Sequence, residues 1–333
     1  MIPALLVVTV IAFVPTLIYV GLLWWLDRHE KEPLGLLLTT FLWGAVPSIA
    51  LALIMQVVLD IPLTVVRDVH QLTYELVGAS FIAPLTEEAV KALALLGLFL
   101  LWRRELDSPL DGLIYGGLVG FGFAAIENVS YFLGAYAQEG YHGVLWLALM
   151  RAGVFGLNHA MYTGFTGLGV ALAVEWRSKV PAWIPVVAGF ILAVFAHALH
   201  NGLATVTSYT GPLFLLMTIA VDWVGIGFLL LVALGSLIWE RHRLAAYLEK
   251  LAAEGLIAET ERPVLESSFQ RGVARLRALL GQGVRGWWRM WRYHQALANG
   301  AFAWHRVQQG DQQARVQLER LEREIRELAT TGG

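Results

Sequence analysis

Pro84-Leu85-Thr86-Glu87-Glu88-Ala89-Val90-Lys91 sets two adjacent carboxylates and an ammonium near the start of a segment that is otherwise apolar as far as Trp102. No charge follows Lys91 until Arg103. Within a bilayer each ionised group costs about 2.5–3.5 kcal/mol on insertion scales unless it is paired or solvated. A span that carries this many charges in one turn therefore points to a function and to partners on other spans.

Composition supports the membrane reading. The 333 residues are 57% hydrophobic and 15% charged, with mean hydropathy +0.60 and 13 Trp, whereas soluble chains carry about 25% charged residues. Seven apolar stretches are long enough to cross a bilayer, at roughly 2–26, 34–59, 80–102, 109–134, 145–174, 181–206 and 212–239. The predicted fold is an all-α polytopic bundle of about seven spans over residues 1–239, followed by a helical tail at 240–333. The body has 9 Lys/Arg against 15 Asp/Glu and the tail 15 against 11, so the tail is mildly basic. The first stretch has neither a positive flank nor a small-residue cleavage site before it ends, which predicts a retained span.

Alternate connections carry Arg28, Lys31, Arg103, Arg104, Arg177, Lys179, Arg241 and Arg243, while the others carry only Arg67. The positive-inside rule then places the N-terminus outside and the tail in the cytoplasm of a cell-membrane protein. The connection 60–79 has near-helical apolar spacing and predicts an amphipathic helix on the outer surface. In the tail, Gln270–Arg292 mixes arginines with Leu and Trp, a pattern suited to an anionic inner leaflet or a cytoplasmic partner rather than to nucleic acid. Arg315–Leu328 alternates acid and base at helical spacing and predicts a solvated helix. The chain has no cysteine, which excludes disulfides, thiolate metal sites and cysteine nucleophiles.

Counted from the predicted outer ends, Glu87 and Glu88 lie roughly 11–12 Å deep at 1.5 Å per residue. Glu127 and His197 fall at a similar depth and His159 somewhat deeper. Titratable groups from four spans thus meet in one layer. Lys91 lies one helical turn from both Glu87 and Glu88 and can pair with either. Asn201, four residues after His197, is placed to fix its tautomer, and His200 shares that face. Thr163-Gly164-Phe165-Thr166-Gly167-Leu168-Gly169 offers small residues for close helix packing. Asp111 is placed to cap its helix, and Asp222 has Arg151 as its expected partner.

Such a set suits hydrolysis. A buried carboxylate can act as base for water while a histidine donates to the oxyanion or the leaving amine. Alternatively Glu127, His159 and His197 can hold a zinc ion, leaving another Glu as base. His-Glu-x-x-His and Gly-x-Ser-x-Gly are both absent. A proton- or ion-coupled transporter is the rival reading, predicting polar groups through both bilayer halves and an internal repeat. A non-catalytic receptor or scaffold working through the tail is another.

Glu87-Glu88-x-x-Lys91, Phe123-x-x-x-Glu127-Asn128, His159-x-x-x-Thr163-Gly164 and His197-x-x-x-Asn201, in this order, resemble the PrsW family of intramembrane proteases. Asp27-Arg28-x-Glu30-x-Glu32-Pro33 resembles that family's first connection. The likeness covers roughly residues 15–235. It implies cleavage of a membrane-tethered protein near the outer face, with single-pass anti-sigma factors as the suspected substrates, by a metal-dependent or glutamate-dependent mechanism. The wider superfamily, which includes the CAAX prenyl endopeptidases, has His where this chain has Glu127 and a later Arg in place of Lys91.

Overall fold

The computed structural model describes residues 2–27, 31–60, 71–176 and 179–330 and is helical throughout, with no strand among the described residues. In chain order the helices are α1 (Ile2–Leu26), α2 (Leu34–Trp43), α3 (Ile49–Asp60), α4 (Gln71–Val77), α5 (Ala83–Leu101), α6 (Pro109–Ala148), α7 (Asn158–Glu175), α8 (Trp183–Thr210), α9 (Pro212–Ala253), α10 (Arg262–Glu266), α11 (Ser268–Gln308) and α12 (Gln312–Thr330). Each stretch expected to be a span is helical. Ile2–Leu26, Leu34–Asp60, Pro109–Glu175, Trp183–Thr210 and Pro212–Ala253 are long and apolar enough to cross a membrane. Pro109–Glu175, at 67 residues, takes in two of the expected spans, and α5 is the shorter, charge-bearing 19-residue helix. Half of the expected surface helix at 60–79, residues 61–70, lies outside the described residues; α4 falls in the part that follows.

The chain divides into two units, Met1–Leu26 with Glu32–Ala233, and Asp27–Lys31 with Leu234–Gly333. In the first, α6 is the central helix, buried without a break from Leu110 to Ala125. A helix covered on all sides needs small residues where neighbours cross, and Gly112, Gly116 and Gly120 supply them on one face. A Cβ at Gly112 would collide with the carbonyl of Gly167, one at Gly120 with that of His159, and one at Gly116 would lie 2.6 Å from Thr163 O. These contacts run in opposite directions along the two helices, so α6 and α7 are antiparallel and in backbone contact. Gly140, at φ 64°, breaks α6 within the connection expected at 135–144. At its start Ser108 caps the helix and receives Asp111, as the sequence predicts: Asp111 N donates to Ser108 Oγ at 3.3 Å and Ser108 N to Asp111 Oδ2 at 2.6 Å. Tyr115 donates to Glu32, which fastens the first connection to the central helix.

Gly116→Leu is therefore expected to lower stability by about 1–3 kcal/mol or more, because backbone rather than a movable side chain blocks the added atoms. The melting temperature of detergent-purified protein measures this. An unchanged value contradicts the packing.

The second unit has its own core, built from Leu244, Tyr247, Leu248 and Leu251 of α9, Leu265 of α10, Leu297 of α11, and Leu318 and Ile325 of α12. The α12 helix is thus not solvated all round: its apolar side packs inward, and Glu322 reaches Lys250 at 2.8 Å. His294 is buried on α11 and its Nδ1 has no partner among the described residues. Burial, with Arg271 and Arg275 nearby, pushes its pKa down from 6.5 to about 3. The unfolded imidazole takes up a proton first, so stability present above pH 6.5 is lost as pH falls toward 3. Amide protection across α11, corrected for the intrinsic exchange rate, is expected to fall over that window in the native protein, and the dependence to flatten in His294→Gln.

Candidate active site

Helical spacing puts Glu87, Glu88 and Lys91 on the buried side of α5, and all are sealed from solvent, Lys91 at 0% exposure. The two carboxylates differ in their donors. Glu88 Oε1 accepts from Lys91 Nζ at 2.8 Å and from His197 Nδ1 at 3.1 Å, and its Oε2 accepts from Thr163 Oγ1 at 3.1 Å. Both oxygens of Glu88 are therefore engaged. Glu87 Oε1 accepts from Gln56 Nε2 at 3.1 Å, but among the described residues its Oε2 has only Lys91 at 3.5 Å and the His197 Nε2 at 3.9 Å. The tautomer in which His197 donates its Nδ1 proton to Glu88 leaves a lone pair at Nε2 facing Glu87.

His159, at the start of α7, has one nitrogen on each side of the site. Its Nε2 lies 2.9 Å from Glu127 Oε2 and its Nδ1 3.0 Å from Lys91 Nζ. One tautomer satisfies both contacts, with Nε2–H donating and Nδ1 accepting. Glu127 is held in turn by Arg151, which also donates from Nε to Asn128 Oδ1 at 2.8 Å and lies 3.7 Å over the Tyr131 ring. Glu127 thus orients His159. Phe123, one turn before Glu127, lies 3.8 Å beneath Lys91 Nζ and supplies a π-face to the ammonium. The carboxylates Glu87, Glu88 and Glu127 face Lys91 and Arg151, and of the three Glu87 has the weakest donors.

Glu87, Glu88, Lys91, Glu127, His159 and His197 are accordingly brought together. Asn201 is not in this group: its Nδ2 donates to Ala79 O at 2.9 Å, in the π-helical turn Gly78–Ile82 ahead of α5, and Glu88 fixes the His197 tautomer instead. Asp222 pairs with His200 Nδ1 at 2.7 Å and Asn158 Nδ2 at 3.0 Å, not with Arg151, which Glu127 engages. Tyr162 joins the two clusters by stacking on His197 at 4.5 Å, with the rings 12° from parallel. Neither Tyr162 nor Gln56 is among the residues to which the sequence points. Gln56 could have been found as the lone polar residue between Ile49 and Leu59.

Residues 32–234 match the sequence model of the PrsW family, described as intramembrane metalloproteases. The chain belongs to the PrsW family. Two curated relatives carry the name Protease PrsW. One, from Geobacillus kaustophilus, is 26% identical over 208 residues, covering 59% of this chain and 79% of that protein. The other, from Clostridioides difficile, is 33% identical over 155 residues, 46% of this chain and 60% of that protein. No solved structure matches. As a PrsW family member the chain is an intramembrane protease, a hydrolase within a helical membrane bundle, and the family match takes in every residue of the polar layer.

The family description includes a metal, and the donor set can be tested against one. Glu87, His159 and His197 each offer a ligand atom, all within 4.8 Å of one another. A carboxylate and two imidazoles match hydrolytic zinc in type and number. The sequence grouped Glu127 with the histidines as ligands; in the structure Glu87 is the carboxylate whose oxygen lies within 4.8 Å of both imidazoles, while Arg151 and His159 engage Glu127. Lys91 competes for the same atoms, since its ammonium already contacts His159 Nδ1 and Glu87.

Proposed function

We propose that the site hydrolyses a peptide bond in a membrane-tethered protein, with Glu87 as the base that activates water. The observation that carries this reading is the facing pair of acceptors, Glu87 Oε2 and His197 Nε2, 3.9 Å apart. A water donating one hydrogen to each has its oxygen lone pairs directed outward as nucleophile. Glu87 takes the proton as the oxygen attacks the carbonyl carbon, and His197 Nε2 relays it to the leaving amine. Lys91 is the cation nearest the developing oxyanion, and Glu88, with three donors, keeps Lys91 and His197 in register. Glu127 and Arg151 hold His159, which accepts from Lys91 and limits its swing. A zinc ion held by Glu87, His159 and His197 would add Lewis acidity and a more acidic bound water.

A cavity of about 480 Å³ lies beside Tyr131, lined by Ala135, Gln138, Trp146 and Leu147 among others. Tyr131 carries Arg151 on its face, so an extended substrate segment in this cavity would reach the Glu127 side of the site. The depth of the polar layer, with the N-terminus outside and the tail in the cytoplasm, supports cleavage in the outer half of the bilayer. A single-pass anti-sigma factor is the substrate class that the family suggests.

The test is co-expression of a tagged single-pass anti-sigma factor with Glu88→Ala, Glu127→Ala and His197→Ala variants. Loss of the cleaved fragment is expected in each; full cleavage by all three would sink the assignment. Because Lys91 already contacts two of the ligand atoms, cleavage by purified protein is expected to persist in chelator. Activity and bound zinc lost together under chelation would instead make Glu87, His159 and His197 ligands.

A further inference from the structure

The segment Ser268–Gly310 contains seven Arg and two His and no Asp or Glu. Its helix, α11, is bent at Gly283, whose φ of 68° is non-helical. Around the bend the surface is made of apolar and basic side chains. Leu276 and Leu280 precede it, the latter 80% exposed, and Val284 and Trp288 follow it, with Trp288 stacked on Trp291 at 4.9 Å. Arg277 and Arg285 are exposed beside them and have no partner among the described residues. The other arginines are occupied within the unit: Arg292 pairs with Glu324, Arg289 donates to Gln282 at 3.1 Å, and Arg271 is buried.

An exposed apolar run is unusual on a water-facing surface. Here it belongs to a chain already held at a membrane by the apolar helices of its first unit. We propose that the bent face Leu276–Trp288 lies on an anionic lipid surface, with Leu276, Leu280, Val284 and Trp288 in the interfacial layer and Arg277 and Arg285 against lipid phosphates. Exposed aliphatics seek the acyl boundary, Trp favours the headgroup level, and each basic residue gains from the negative surface potential. Charge complementarity decides the occupant. A neutral apolar protein groove would leave the two guanidinium groups without counter-ions, and a second copy of this face would set like charges together.

The chain lacks cysteine, so Leu280→Cys puts a single nitroxide label on the face of the full-length protein reconstituted in nanodiscs. With phosphatidylglycerol present, collisions with oxygen relative to a water-soluble nickel chelate should rise roughly threefold over discs of phosphatidylcholine alone. Arg277→Glu/Arg285→Glu should abolish the rise, and a label at Arg320→Cys should stay water-exposed in every disc. A label at position 280 that is equally water-exposed in both lipids overturns the proposal. So does one equally immersed in both, since charge would then play no part. Shielding from oxygen and nickel alike would mean that protein covers the face, and would also overturn it.

Discussion

Glu87→Gln is expected to lower cleavage of a tethered substrate by about 10²–10⁴-fold, the usual contribution of a general base, while the protein folds and melts like the native chain. The amide keeps the shape of the side chain and still accepts from Gln56, whose Nε2 lies 3.1 Å from Glu87 Oε1. What it loses is the capacity to take a proton opposite His197 Nε2. The neighbouring position provides the contrast. Glu88→Gln removes a carboxylate with three donors, so it is expected to lower both stability and activity. Fragment yield from co-expressed substrate, read with the melting curve of each purified variant, separates the two. Native turnover in Glu87→Gln beside an inactive but well-folded Glu88→Gln would transfer the base role to Glu88.

Lys91→Met should have the larger effect on stability. Lys91 is wholly buried and contacts Glu88 at 2.8 Å, His159 at 3.0 Å and Glu87 at 3.5 Å. Removing one member of a buried ion pair costs about 3–5 kcal/mol, most of it from the charge left behind. Here two carboxylates are left. Thermal unfolding in detergent, followed by tryptophan fluorescence, should show a clear fall in melting temperature. The double variant Lys91→Met/Glu88→Gln should recover part of that loss, because one of the two stranded charges is gone, yet remain inactive. If Lys91→Met melted with the native protein, the ammonium would not be holding the site together.

Much of the first unit was legible from sequence because bilayers impose length and hydropathy on any helix that crosses them. Glu87, Glu88 and Lys91 were readable as a pair or triad because helical spacing is local. Gly112, Gly116 and Gly120 carry their four-residue spacing openly, although only the structure names His159, Thr163 and Gly167 as what they meet. The convergence of Glu127, His159 and His197 on α5 followed from counting depth along each span. Depth gives a layer, however, and says nothing of rotation about each helix axis.

That rotation is where the tertiary structure decided matters. It turned Asn201 to the Ala79 carbonyl and gave the His197 tautomer to Glu88, 109 residues away in sequence. It set Glu127 between Arg151 and His159, and brought Glu87 to the two imidazoles in its place. It also paired Asp222 with His200 rather than Arg151. By itself the sequence determined which stretches form apolar helices, which charged groups they carry and how those groups are spaced, since each of these depends on residues close together in the chain. Only packing between helices determined which oxygen of which carboxylate faces which nitrogen. Those choices rest on a few degrees of helix rotation, fixed by backbone contacts at glycines and by hydrogen bonds across the whole bundle.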